Sequence, residues 1–286
     1  MFLIALSSIL IAIFSPIGGL VFIIYFGRKY QDRKYVFYSL FLGILVVLYI
    51  LKMVDLIFFS DILIGIGVTS FLYFGWISAS KDYLRTIIYL TFINIGYSIL
   101  KFLMFGKVFV QLAEASFNQF SEYLNTGLQN NPEQLSIGLD VLRQLKEIVM
   151  NYYPGIWVFS VVIGIYLGSL LFSKKVTEKW EHKKLQLPFY LIYILILLLI
   201  ALISEQTRII GINGLLMIIP FFLFQGISIL HFFWGDFFVR SRFLLYLMII
   251  SMILNPYLLL LVVLVGMLDI WFNFRKIGNT LEEVEK

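Results

Sequence analysis

The sequence predicts an all-α fold, a polytopic membrane helix bundle of about 8–9 membrane segments with an external amphipathic helical hairpin. Three observations lead there. The chain is 61% hydrophobic and 14% charged, whereas soluble domains average roughly 45–50% and 25%. The excess is gathered into runs near the ~20 residues that helix needs to cross a hydrocarbon core. Those runs lack the period-two alternation of barrel strands, which leaves helices to satisfy the backbone in lipid.

The first run covers residues 2–27. It has no basic n-region and is too long for a signal-peptide core, so it reads as a retained first helix. Pro16, Gly18 and Gly19 predict a kink or unwound point inside it. RKYQDRK follows as a basic turn; residues 35–51 and 56–79 form the second and third spans, with Lys52 and Asp55 between them. Lys81, Asp82 and Arg85 mark the next turn, and residues 86–105 the fourth span.

Residues 106–154 are amphipathic instead. Phe109, Leu112, Phe117, Phe120 and Leu124 make one helical stripe; Leu135, Leu139, Leu142, Leu145 and Val149 make another. Asn131-Pro132 reads as a cap and first position between them, and Pro154 as a stop. The segment is expected on the membrane surface or over the bundle.

Residues 155–173, 187–203 and 209–234 form the fifth, sixth and seventh spans, the last containing Pro220. The run 243–274 is split by Asn255-Pro256. It is either two short helices, 243–254 and 257–274, in a hairpin, or one kinked helix. The expected units are therefore N-terminal membrane helices (1–105), the external segment (106–154), C-terminal membrane helices (155–274) and a polar cytoplasmic tail (275–286).

Lys and Arg set orientation. Placing 28–34, 81–85, 174–186, 235–242 and the tail on one side puts 16 of the 22 basic residues there. That side is expected to be cytoplasmic, in a cell (inner or plasma) membrane, with 106–154 and the N-terminus outside. The net charge of +5 thus reflects orientation, and nucleic acid is not an expected partner. Zero cysteines exclude a disulfide scaffold and a Cys nucleophile. Two histidines without cysteine argue against a metal site. No phosphate-binding Gly-rich loop is present, and no catalytic grouping can be assigned. No enzyme activity and no cofactor are expected.

Intramembrane polar groups are the remaining candidates. Asn213 and His231 are 18 residues apart, about five turns, with Ser228 close to their face and Gln225 off it. They read either as a polar stripe lining a ligand cavity or as interhelical hydrogen bonds. Asp269 needs a cation, for which Arg240, Arg242 and His231 are candidates. Asp61 and Asn94 are lesser cases of the same kind. Lys101, near a span end, is expected to snorkel.

The stretches KLQLPFYLIYILILLL, GINGLLMIIPFFLFQGISILHFFW and LLVVLVGMLDIWFNFRK resemble the YybS-type family of multi-spanning membrane proteins. Gln225-Gly226 with His231, and Gly266, Asp269 and Phe274-Arg275, carry most of the resemblance; SPIGGL near the N-terminus fits less specifically. That family distantly resembles the substrate-binding S components of energy-coupling-factor transporters. The resemblance implies a small-molecule ligand and an energising partner, contacted through small residues on the first helix: here Ala5, Ser8 and Ala12. The alternative is a structural or assembly scaffold for cell-envelope machinery, which the amphipathic segment favours.

Overall fold

The computed structural model describes residues 1–129, 131–174, 180–240 and 254–277, together with Phe243, Leu247, Ile250 and Ser251; of 236–240 it describes the backbone alone. The described residues form an all-α polytopic bundle. Five of its helical stretches are long and apolar enough to cross a membrane, and three shorter apolar helices accompany them.

The N-terminal run departs from the expected single span. Helix α1 (Phe2–Phe14) ends at Ser15, whose backbone is extended, and α2 (Pro16–Gly27) begins at once. Pro16 occupies the first helical position, where its missing N–H costs nothing, and the Ser15 hydroxyl caps Gly18 N at 3.1 Å. The two helices fold back on each other as a tight hairpin. Ala12 packs on Gly19, where an added Cβ would come within 2.6 Å. At the open end, the N-terminal ammonium donates to Tyr30 Oη at 3.1 Å. The Pro/Gly cluster is therefore a reversal, not a kink. The N-terminus accordingly lies at the same end of the bundle as the RKYQDRK turn, not at the opposite end. Helices of 13 and 12 residues reach only about 18–20 Å, short of a ~30 Å core, so the Ser15-Pro16 tip stays at membrane depth.

After the turn at 28–33, α3 (Lys34–Ile50) runs to the far end. A continuous helical span returns as α4 (Leu56–Ser60), a π-helical run at Asp61–Val68, and α5 (Thr69–Ser80). The widened π turns are of the kind that recurs at functional sites.

Helices α6 (Tyr83–Gly127) and α7 (Pro132–Ser173) hold 45 and 42 residues. At about 1.5 Å per residue each is roughly twice the thickness of a hydrocarbon core. The predicted external segment is thus not a separate surface hairpin. It is the continuation of two membrane helices as an antiparallel stalk, closed by the Asn131 cap on Gln134 N and cross-linked by Lys146–Glu114 at 3.7 Å. Pro154, expected to stop the helix, lies inside α7.

Helices α8 (Tyr190–Ala201) and α9 (Glu205–Arg240) follow, and α10 (Pro256–Phe272) completes the described bundle. Asn255 leaves helical geometry and caps Tyr257 N and Leu258 N, so the run 243–274 is broken there. The expected helix 243–254 lies largely outside the described residues. Small residues set the close crossings. Gly164 and Gly168 of α7 receive Leu20 and Ile24 of α2. Gly226 of α9 and Gly266 of α10 bring backbones into contact, such that a Cβ on Gly266 would sit 2.0 Å from Phe222 O.

Candidate functional site

Two polar clusters are buried in the bundle, one near the stalk and one at the basic end. The first gathers on Asp61, the opening residue of the π-helical run. Lys101 Nζ of α6 reaches its Oδ1 and Oδ2 at 2.7 and 2.6 Å. Tyr97 Oη donates to Oδ1 at 2.8 Å, and Tyr153 of α7 hydrogen-bonds Lys101. The ammonium also lies over the rings of Tyr153 and Trp157, at 4.4 and 5.1 Å from their centroids. Lys101 does not snorkel: it is 3% exposed. A carboxylate on a neighbouring helix holds it inward more strongly than the distant interface attracts it, because a buried pair in low dielectric interacts strongly.

This cluster forms part of the wall of a cavity of about 540 Å³. The α1–α2 tip (Ala12, Ile13, Phe14, Pro16) meets it from one side. Asp55, Ile57, Phe58, Asp61 and Ile62 come from the α4 end, and Phe109, Leu112, Ala113 and Phe117 from α6. Helix α7 adds Tyr153, Trp157 and Ser160. The size suits a small ligand, and the lining is the usual mixture of apolar walls with a few placed polar groups. Non-helical backbone at membrane depth survives only where protein buries it or a cavity meets it, and the Ser15-Pro16 tip meets this cavity. Asp61 was legible as an intramembrane acid. Tyr97, Tyr153 and Trp157 were not, since nothing in a single sequence brings three helices together.

The second cluster centres on Asp269. Its cation is Arg275, at 2.7 Å. Arg242 and the side chain of Arg240, candidates for that part, lie outside the described residues, and His231 does not pair with it. The chain turns left-handed at Asn273 (φ 42°), which swings Arg275 back alongside the last turn of α10. Its guanidinium also donates to Lys183 O, Leu185 O and Ser228 Oγ at 2.6–2.8 Å. Gln225 spends its amide on Asp269 Oδ2 and Leu187 N, at 2.9 and 2.8 Å. Ser228 donates to His182 O at 2.6 Å. His182, in the connection before α8, meets Tyr166 and lies 3.4 Å from the His231 ring nitrogen. Burial, with His231 and Arg275 adding like charge, pushes the His182 pKa down to about 3. The imidazole is neutral at physiological pH.

Asn213 sits apart from both clusters. Its Nδ2 donates to Asn151 O and its Oδ1 accepts from Gly155 N, at 2.9 and 2.8 Å. Those two backbone groups would pair directly in a regular helix. The helix runs on through Pro154, and the Asn213 amide contacts the backbone on either side of it. Gly155 permits this, since a Cβ there would lie 3.0 Å from Asn213 Oδ1. Among the described residues, Asn213, Gln225, Ser228 and His231 therefore do not line one shared cavity. Gln225 and Ser228 are fully buried in protein hydrogen bonds, His231 stands beside His182, and Asn213 binds the backbone of α7.

The small residues proposed for a partner contact are turned inward. Ala5 and Ser8 are 0% exposed and Ala12 is 5% exposed, because the α1 face that carries them packs within the chain. Among the described residues no group of three or more His, Cys, Asp or Glu could hold a metal ion.

Over residues 1–270 the chain matches the family described as Predicted membrane protein (DUF2232). No curated protein and no solved structure matches it. The chain belongs to that family, and with its long apolar helices it is a multi-pass integral membrane protein.

Proposed function

We propose that this member of the DUF2232 membrane-protein family is a non-enzymatic binding component that holds a small, largely apolar molecule within the bilayer. The observation that carries the reading is the cavity of about 540 Å³ between the α1–α2 tip and the base of the α6–α7 stalk, with a buried charge pair in its wall. A membrane-depth helix reversal beside a cavity is a device of transport proteins. Delivery of the bound molecule to, or across, the membrane is the use it suggests. A substrate-binding component without its own ATPase, energised by a partner, fits that role. The basic end, which holds the 28–34 turn and the C-terminal Arg275, faces the cytoplasm in this reading, and the stalk faces outward.

Scaffolding is the second reading. It is favoured by the exposed apolar side chains Ile137, Val141, Leu145 and Ile148 on the stalk, a surface able to dock another envelope protein. Native mass spectrometry of the mildly solubilised protein separates the two. The binding reading expects a small-molecule adduct on the wild type that is lost in Ala113→Trp, which fills the cavity. A wild type that carries a protein partner and no small molecule overturns it in favour of the scaffold.

A further inference from the structure

We propose that the cavity selects an organic cation, a molecule with an apolar body and an ammonium group. The inference rests on reading the cavity as a ligand site and goes on to specify the ligand's charge. Its lining includes two carboxylates, Asp55 at the exposed rim and Asp61 in the wall. Among the described residues none of the lining side chains is Lys or Arg, and Lys101, which pairs with Asp61, is not part of the lining. The Asp61 charge is balanced by Lys101, which leaves Asp55, exposed at the rim and in no ion pair among the described residues, as the net charge of the lining. An anion entering here meets a like charge, and a cation meets its complement.

The rings point the same way. Phe14, Phe58, Phe109, Phe117, Tyr153 and Trp157 all line the cavity. Aromatic faces attract ammonium groups, increasingly so when water is excluded; Lys101 already occupies Tyr153 and Trp157, which leaves the four phenylalanines to a ligand's cation.

The test uses the full chain in zwitterionic nanodiscs at pH 7 and three probes that share one apolar body: 4-phenylbutylammonium, 4-phenylbutanol and 4-phenylbutanoate. Equilibrium dialysis against empty nanodiscs gives the specific binding of each. The ammonium is expected to bind about tenfold more tightly than the carboxylate, equivalent to roughly 1.4 kcal/mol. Asp55→Asn, at an exposed rim position, should cut that ratio several-fold without changing thermal stability. Ala113→Trp should abolish binding of all three. If the alcohol or the carboxylate binds as tightly as the ammonium, the cation proposal fails while the cavity reading survives. If none of the three binds saturably to the wild type, the cavity reading fails with it.

Discussion

The two buried ion pairs have the same chemistry and opposite surroundings. Asp269 and Arg275 are six residues apart, and the other acceptors of the guanidinium come from neighbouring elements: two carbonyls of the 182–187 connection and the Ser228 hydroxyl. The network ties the start of α8, the middle of α9 and the end of α10 into one joint, and Gln225 fills the space between them. Asp61 and Lys101 are forty residues apart on two helices, held by two tyrosines, and their carboxylate opens on a cavity. The contrast shows how a membrane protein can use intramembrane charge in two ways. A pair surrounded by backbone acceptors is consumed by the fold. A pair walled by aromatic side chains instead forms part of a cavity lining.

The largest expected effect of breaking this contrast is at the sealed pair. Arg275→Met leaves Asp269 buried without a cation, at a cost of about 3–5 kcal/mol. It should lower the detergent-solubilised melting temperature steeply or prevent folding. The double variant Arg275→Met/Asp269→Leu should recover much of the loss. Equal melting temperatures for the single and double variants would show that the joint does not depend on the charge pair.

Next in size is Asn213→Leu. It removes the Asn213 partner of Asn151 O, at an exposed residue, and of Gly155 N, which is buried; an unmatched buried group costs about 1–3 kcal/mol. Adding Pro154→Ala lets α7 close its own ladder, so the double variant should regain stability over Asn213→Leu alone. A further drop in the double variant would argue against the bridge.

Smaller still is the response to acid. His182 has a folded pKa near 3 against about 6.5 when unfolded, so between those values the unfolded chain binds the extra proton. The stability contributed by the neutral imidazole is complete above pH 6.5 and is lost as the pH falls toward 3. At pH 5 the loss is about 2 kcal/mol. The melting temperature should fall from pH 7.5 to pH 5, and His182→Gln should flatten that fall. A wild-type melting temperature unchanged between those pH values would mean that His182 is not held neutral.

How much of this was readable beforehand follows from the range of each interaction. Apolar runs and their basic turns are local, so the spans between residues 35 and 234 and the shared basic end could be read directly, but not the first span. The Asn131-Pro132 cap and the break at Asn255-Pro256 are local too. Pro154 was misjudged as a stop because the amide that binds the backbone on either side of it belongs to Asn213, on a different span. Pro16 with Gly18 and Gly19 promised a disturbed backbone. Whether that meant a kink or a full reversal depended on Ala12 fitting against Gly19 and on Tyr30 receiving the N-terminus. Lys101 looked like a snorkelling lysine because its partner lies on another span. Arg275 was quoted within the resemblance yet passed over as the cation. The left-handed turn at Asn273 that brings it back has a sequence signature, an Asn just beyond a helix end.

The central claim, that the stalk-side cluster borders an accessible cavity, can be tested at two serines of α7. Ser160 lines the cavity and Ser169 is fully buried outside it; each hydroxyl donates to the carbonyl four residues earlier. The chain has no cysteine, so Ser160→Cys and Ser169→Cys each carry a single thiol. N-ethylmaleimide labelling in nanodiscs should modify the cysteine at position 160, more slowly when 4-phenylbutylammonium is present, and leave that at position 169 unmodified. A thiol at position 160 as inert as that at 169 would contradict the account.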